Sequence, residues 1–241
     1  MPSRASSGYL LETPQATILF DCGDGVTGSF LRLGKTPGDV DLICISHTHP
    51  DHICGLGYFI QQMYLANRQH ELTIYLPGEA VEGIKSYMAL NYLFLNHFPF
   101  AIDFQRLTGD RKLSCGDVSI IPHGNTHLTK HRGQPWMAAV DNRGQCFSFE
   151  IHLASQKIVY SADVGSLADL HFCKGCDILL VETTHIDMPE LIECAEAWKT
   201  KTLVLTHIGP DFDPRAISAA GKYFSGQILV AEDGMAIPLD S

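Results

Sequence analysis

The chain has no long hydrophobic run. Its uninterrupted apolar stretches are strand-sized, such as Leu203–Leu205, too short for a transmembrane helix of about 20 residues. Met1–Gly8 is polar and small and lacks an apolar signal core, so no secretory leader is expected. Positive charge is scarce: 17 Lys and Arg face 27 Asp and Glu, a formal net charge of −10. That deficit argues against gripping nucleic acid through a broad basic face. Low-complexity linkers, repeats and charge blocks are also missing, which points to one domain over residues 1–241. Only 18% of residues are charged and 45% are hydrophobic, excluding a disordered chain or a coiled coil.

Cysteine is present but uninformative. Eight Cys in 241 residues do not suggest the disulfide framework of a short secreted domain. Cys44 and Cys194 lie in apolar runs and read as buried, reduced thiols, which suits a cytoplasmic protein. Cys173 and Cys176 form a lone CxxC, and a structural zinc site would need two more ligands. What the chain does have in excess is histidine, 12 residues.

The periodicity is strand-rich with interposed helices. Strands are expected at Ala16–Asp21, Asp41–Ser46, Leu72–Leu76, Asp103–Leu107, Lys112–Ile121 and Trp136–Val140. Further strands are expected at Cys146–Ile151, Lys157–Ser161, Asp177–Glu182, Thr202–Thr206, Ile228–Ala231 and Met235–Pro238. Helices are expected at Val26–Leu33, Ile53–Asn67, Gly78–Asn91, Pro189–Trp198 and Pro214–Phe224. Mixed sheets with helices on their outer faces are the architecture this order favours.

The segment His47-Thr48-His49-Pro50-Asp51-His52 follows an apolar strand and precedes a helix. In extended backbone residues 47 and 49 point the same way. After the turn at Pro50, Asp51 and His52 can face a second point, so the segment can feed two cations. Imidazole with carboxylate suits zinc, with manganese or iron as options. Asp163 and His207 each sit just past a strand end, where a side chain is held rigidly over a cleft. They are the first candidates to complete a two-metal site.

These residues resemble the signature of the metallo-β-lactamase superfamily. Ser7–Leu11, Ile18–Gly25 and the signature followed by Gly55-Leu56 look like its ribonuclease Z branch, which hydrolyses phosphodiesters to mature transfer-RNA 3′ ends. The resemblance implies an α+β fold, the four-layer αββα sandwich, with two zinc ions at one edge. It makes His47 and His49 ligands of one metal, Asp51, His52 and His207 ligands of the other, and Asp163 the bridge. Asp21 resembles a supporting acid that orients a ligand His. A further ligand is expected after Ile121-Pro122, where His123, His127 and His131 compete; His127 best matches the family's position. His185, 22 residues before His207, resembles the residue that protonates the leaving oxygen, with Glu182 as its partner.

The candidate catalytic residues are thus Asp51, His185 and Glu182. The implied reaction has a water shared by two divalent ions losing a proton near neutrality, and the hydroxide attacking phosphorus. Two departures bear on substrate. Glu71–His123 is filled by ordinary elements rather than the long Gly/Pro-rich arm of ribonuclease Z, and the segment after His207 is Ile208-Gly209-Pro210-Asp211. With a charge of −10, a small or medium phosphodiester is a better expectation than a large structured RNA. A lactone, thioester or sulfate-ester hydrolase on the same fold is the rival; a non-catalytic metal-binding module is a third reading. No membrane partner is expected, and a homo-oligomer is left open. The family's usual first strand has no counterpart before Pro2, so either the natural chain is longer or this branch lacks that strand.

Overall fold

In the computed structural model, residues 4–140, 142–209, 217 and 221–239 are described. Two sheets stack face to face. The first has the order β1-β2-β3-β4-β5: β1 (Tyr9–Glu12), β2 (Thr17–Phe20), β3 (Leu42–Cys44), β4 (Leu72–Pro77) and β5 (Ile102–Leu107). β1 is antiparallel to β2 and the others run parallel. The second sheet contains β6 (Leu113–Cys115), β7 (Val118–Gly124), β8 (Phe147–Leu153), β9 (Gln156–Tyr160), β10 (Ile178–Glu182), β11 (Thr202–Thr206) and β12 (Gln227–Val230). They lie in the order β12-β11-β10-β9-β8-β7-β6, parallel from β12 to β9 and antiparallel thereafter.

Helices cover both outer faces, which completes an αββα sandwich. On the first sheet lie α1 (Val26–Arg32), α2 (Pro50–Ile53), α3 (Leu56–Leu65) and α4 (Val81–Leu90). α3 shows why its segment is helical: Leu56, Phe59, Ile60 and Met63, at helical spacing, are its buried side chains. They join Ile43, Ile45 and Ile74 in one core cluster. On the second sheet lies α5 (Met188–Trp198), where Asp187 caps the helix by accepting from Glu190 N at 3.1 Å. Between the sheets Ile18, Phe20, Cys44, Ile120, Phe149 and Tyr160 form the central core, with the Phe20 and Phe149 rings 5.3 Å apart.

Several expectations need correction. The helix expected at Ile53–Asn67 breaks into α2 and α3 around Gly55, because the chain there presses against Gly23. A Cβ on Gly55 would stand 2.2 Å from Gly23 O, and one on Gly23 2.0 Å from Asp51 O. Lys112–Ile121 is not one strand but the hairpin β6–β7, turned by Gly116 at φ +54°. Trp136–Val140 is not a strand: Pro135–Ala139 forms a 3-10 helix started by Pro135. Met235–Pro238 forms no strand. Tyr9–Glu12, which sequence patterning left unassigned, is the edge strand β1. The helix expected at Pro214–Phe224 falls largely outside the described residues; its end is a 3-10 turn at Gly221–Tyr223. All eight cysteines are free, and Cys194 is partly rather than fully buried. Among the described residues no helix is long and apolar enough to cross a membrane.

Phe149 is fully buried between the sheets. Phe149→Ala is expected to destabilise the fold by about 3–5 kcal/mol, measured as a lower denaturation midpoint at an unchanged urea m-value. A loss under about 1 kcal/mol would place the inter-sheet core elsewhere.

Candidate metal centre

The parallel strands end at the same edge of the sandwich, and that edge gathers the polar residues. Register aligns Phe20 with Cys44, and Glu182 with Thr206. The residues that follow therefore emerge side by side, as crevices outside strand carboxyl ends do in α/β sheets generally. Three of these exits turn through left-handed backbone at non-glycine residues: Asp21 (φ 58°), Ala162 (φ 49°) and His207 (φ 49°). Such conformations are costly and mark positions that the surrounding structure holds in place.

Two adjoining groups result. His47, His49, His127 and Asp163 offer ligand atoms within 4.8 Å of one another, and so do Asp51, His52 and His207. Asp163 faces both. Its Oδ2 lies 4.0 Å from His47 Nε2 and 3.7 Å from His127 Nε2. Its Oδ1 lies 3.3 Å from His52 Nε2 and 3.7 Å from His207 Nε2. His127 Nε2 is 3.3 Å from His49 Nδ1, and Asp51 Oδ2 is 3.0 Å from His207 Nε2.

Of the three competing histidines, only His127 reaches this cluster. β7 alternates: Val118, Ile120 and Pro122 are buried, and the period of two turns His123 to the outer face. There its ring stacks on Phe172 at 3.8 Å, between Asp110 and Glu150. His131 sits in the 3-10 turn Thr129–His131, in neither ligand group.

The surroundings fix the ring orientations. Ser46 Oγ donates to Asp21 Oδ2 at 2.8 Å, so it accepts from His47 Nδ1, 3.0 Å away. That leaves the lone pair of His47 Nε2 aimed into the cluster. His47 Nε2 and Asp163 Oδ1 are both buried without a hydrogen-bond partner. Unpaired buried acceptors, one in each part of an N/O donor set, are what divalent cations satisfy, so the residues fit a metal pair. Asp21 also lies 2.7 Å from His52 Nδ1 and accepts from Tyr160 OH at 2.6 Å.

His185 stands at the rim, backed by the buried Glu182. His185 Nδ1 is 3.0 Å from Glu182 Oε1, while Oε2 accepts from Thr184 N (2.7 Å), Thr184 Oγ1 (2.9 Å) and His185 N (2.8 Å). The His185 ring is 4.8 Å from that of His127. Sequence reasoning missed Ser46, Tyr160 and Thr184, whose Oγ1 lies 2.6 Å from His207 Nδ1. Ser, Thr and Tyr are too common to stand out; their positions at strand ends beside Asp21 and Glu182 are the signal that was there.

The metal-free cluster is electrostatically divided. Burial, with His52 nearby, pushes His47 down to about 2 despite Asp163. Burial likewise lowers His127 to about 4. Burial also disfavours a charged His52, but Asp21 and Asp163 outweigh it and raise it to about 10. Below the ordinary histidine value of 6.5, the unfolded chain takes up protons at His47 and His127 that the fold refuses, so stability falls with pH. Above 6.5 the unfolded chain sheds the proton that folded His52 retains up to about 10, so stability falls as pH rises. The chelator-stripped protein should therefore show a thermal midpoint that peaks near pH 6.5 and declines on both sides. A midpoint climbing steadily from pH 6.5 to 10 would contradict the arrangement.

Comparison with known proteins agrees with the geometry. Residues 16–208 match the family model of the beta-lactamase superfamily domain. Ribonuclease Z of Streptomyces avermitilis is 25% identical, over 98% of this chain and 92% of the relative. That alignment spans 281 positions against this chain's 241 residues, so the relative carries at least 40 positions this chain lacks. The metallo-beta-lactamase fold protein YhfI of Bacillus subtilis superposes with a TM-score of 0.75 at 24% identity, covering 97% of this chain and 91% of that one. Human tRNase Z, short form, superposes with a TM-score of 0.71 at 21% identity, covering 99% and 95%. The matched family model spans most of the sandwich and every residue of both ligand groups, and this chain belongs to the beta-lactamase superfamily, on the metallo-β-lactamase fold.

Proposed function

We propose that this protein is a metal-dependent phosphodiesterase. The observation that carries the reading is Asp163 turning one oxygen to each of two His/Asp groups, with His185, backed by Glu182, at the rim. In this reading His47, His49 and His127 hold one divalent ion, Asp51, His52 and His207 the other, and Asp163 lies between them. Zinc suits the donor set best. When bound, such a pair supplies Lewis acidity, acidifying water and neutralising charge on the phosphoryl oxygens. Its likeness to ribonuclease Z over nearly its whole length supports the hydrolytic class.

The chain's own groups handle the protons. Glu182 is held by three donors from Thr184 and His185 and accepts at His185 Nδ1. That holds one proton on Nδ1, so in its imidazolium form His185 gives the Nε2 proton to the departing oxygen as general acid and is left as the neutral Nδ1–H tautomer. Asp51 is the half-exposed carboxylate of the site, 3.0 Å from His207 Nε2. It is placed to orient an attacking water and take its proton. Asp21 positions His52 from behind, as outer-shell carboxylates do for metal-binding imidazoles.

The segment between His127 and β8 supports an anionic substrate of modest size. It carries Lys130, Arg132 and Arg143, a local excess of positive charge in a chain of net −10. Arg132 pins the segment's base by donating to Arg143 O (2.9 Å) and Gly144 O (3.3 Å). An open hollow of about 470 Å³ on this segment is lined by Arg132, Gln134, Met137 and Arg143 and by none of the metal-group residues. Residues 71–123 form β4 to β7 with α4 and a short 3-10 turn, leaving no extended clamp for a large RNA.

The test is a hydrolysis panel of bis(p-nitrophenyl) phosphate, a cyclic nucleotide, a lactone and a thioester, with metal content measured alongside. Phosphodiester turnover is expected. His49→Ala or Asp163→Ala should lose both metal stoichiometry and turnover. His185→Ala should keep its metal and lose about 10²–10⁴-fold in kcat. Turnover of the lactone or thioester with neither phosphodiester touched would assign the centre to another ester class.

A further inference from the structure

The CxxC of the chain belongs to neither metal group. Cys173 ends the 3-10 helix Leu167–Cys173, and Cys176 stands just before β10. The turn between them is closed by Cys176 N donating to Cys173 O at 3.0 Å. Lys174 at φ −52°, ψ 125° and Gly175 at φ +72° follow a type II turn, with glycine where that turn needs left-handed backbone. Such a turn holds its end Cα atoms within about 7 Å, which overlaps the range of about 4.4–6.8 Å that a disulfide spans. The largest influence on each thiol's ionisation is the other thiol, so the two sulfurs face one another.

Metal ligation does not account for the pair. Among the described residues neither sulfur belongs to a group of three possible ligands, whereas a structural zinc takes four. Reactivity is what sets the pair apart. The thiols of Cys22, Cys44, Cys54, Cys115, Cys146 and Cys194 are all pushed up, chiefly by burial. Cys176 alone of the eight is pulled down: the Cys173 thiol donates to it, and Thr200 Oγ1, 3.4 Å away, adds to the effect against burial. Cys173 is correspondingly held protonated. Lys157 donates to Phe172 O at 2.6 Å and to Lys174 O at 3.4 Å, and its charge favours both thiolates. Glu150 opposes it at Cys173 and Asp177 at Cys176. The thiolate is the nucleophile of cysteine chemistry, so Cys176 is the sulfur placed to react first.

We propose that Cys173 and Cys176 are a redox pair that a small peroxide closes to a disulfide. The size of the oxidant follows from enclosure. Both side chains have no solvent exposure and pack with Leu170, Leu179 and Leu191, while Lys174 and Gly175 between them are exposed. Hydrogen peroxide needs only a local lifting of that turn, whereas a bulky disulfide such as oxidised glutathione needs the core opened. The Cys176 thiolate attacks one peroxide oxygen, the O–O bond breaks, and the departing hydroxide takes the proton Cys176 had given up. The Cys173 sulfur then attacks Cys176, the S–S bond forms as the S–O bond breaks, and the Cys173 proton goes to the second hydroxide. The two sulfurs lose two electrons and the peroxide becomes two waters.

The test is peroxide treatment of the full, metal-loaded chain, followed by denaturing alkylation and mass spectrometry. Cleavage after glutamate yields residues 151–182, which contain these two cysteines and no other. After peroxide this peptide should carry no alkyl group and be lighter by two hydrogens than its reduced form. A dithiol reductant should restore two alkylated cysteines. Closure should run at least about tenfold faster than loss of the Cys54 thiol, which is exposed but pushed up. In Cys173→Ala no partner sulfur remains, and Cys176 should gain oxygen instead. A wild-type peptide that stays fully alkylated while Cys54 is oxidised, that gains oxygen without losing two hydrogens, or that is joined to a different cysteine would overturn the proposal.

Discussion

The Asp21 carboxylate sits where the two sheets and the histidine segment meet, with no solvent exposure. It accepts from Ser46 N (2.7 Å), Ser46 Oγ (2.8 Å) and Tyr160 OH (2.6 Å), and lies 2.7 Å from His52 Nδ1. A buried carboxyl is tolerated only when its acceptor sites are filled, and here each partner comes from a different piece of the site. Ser46 follows β3, His52 belongs to α2, and Tyr160 ends β9 of the opposite sheet. The satisfaction of one side chain therefore couples sheet stacking to the orientation of two cluster imidazoles. Neither sheet carries the whole site: Asp51 and His52 rise from the first, Asp163 and His207 from the second.

That division explains where the backbone is strained. The strands bring the chain to the edge rigidly, but a strand's direction aims its next residue past the cluster. Left-handed turns at Asp21, Ala162 and His207 re-aim it at the centre. Their cost is offset by packing further back. Phe20 and Phe149 interlock between the sheets, and Gly23 and Gly55 allow the Asp21 loop to lie directly on the end of α2. A side chain at either glycine would push Asp21 and the Asp51–His52 turn apart.

Much of this was legible in the sequence where the information is local. The His47–His52 segment announces itself because its candidate ligands are contiguous, and α3 because its buried residues keep helical spacing. His127 was not separable from His123 and His131 by composition. Carrying the β7 alternation two residues beyond Ile121 would have turned His123 outward, since Pro122 is buried and His123 its neighbour. Trp136–Val140 misled because an apolar run looks like a strand until Pro135 is given its weight as a helix-starting residue. The Lys112–Ile121 hairpin needed Gly116 read as a turn rather than a weak point. Ser46, Tyr160 and Thr184 act through contacts between distant segments, and nothing local marks them.

The acidity of the chain takes on a specific form at the site. Asp21, Asp51, Asp163 and Glu182 converge there, and their ion-pair partners among the described residues are histidines. Without a metal, protons on His52 and His207 are the counter-charge, which is why the neighbouring carboxylates raise both. A proton on an imidazole nitrogen occupies the lone pair that a metal needs. The same carboxylates that hold those protons also attract a divalent ion, which brings two charges where each proton brings one. Cluster geometry and charge thus ask for the same replacement. His47, already neutral and unpartnered at Nε2, is the candidate ligand that would surrender nothing in such an exchange.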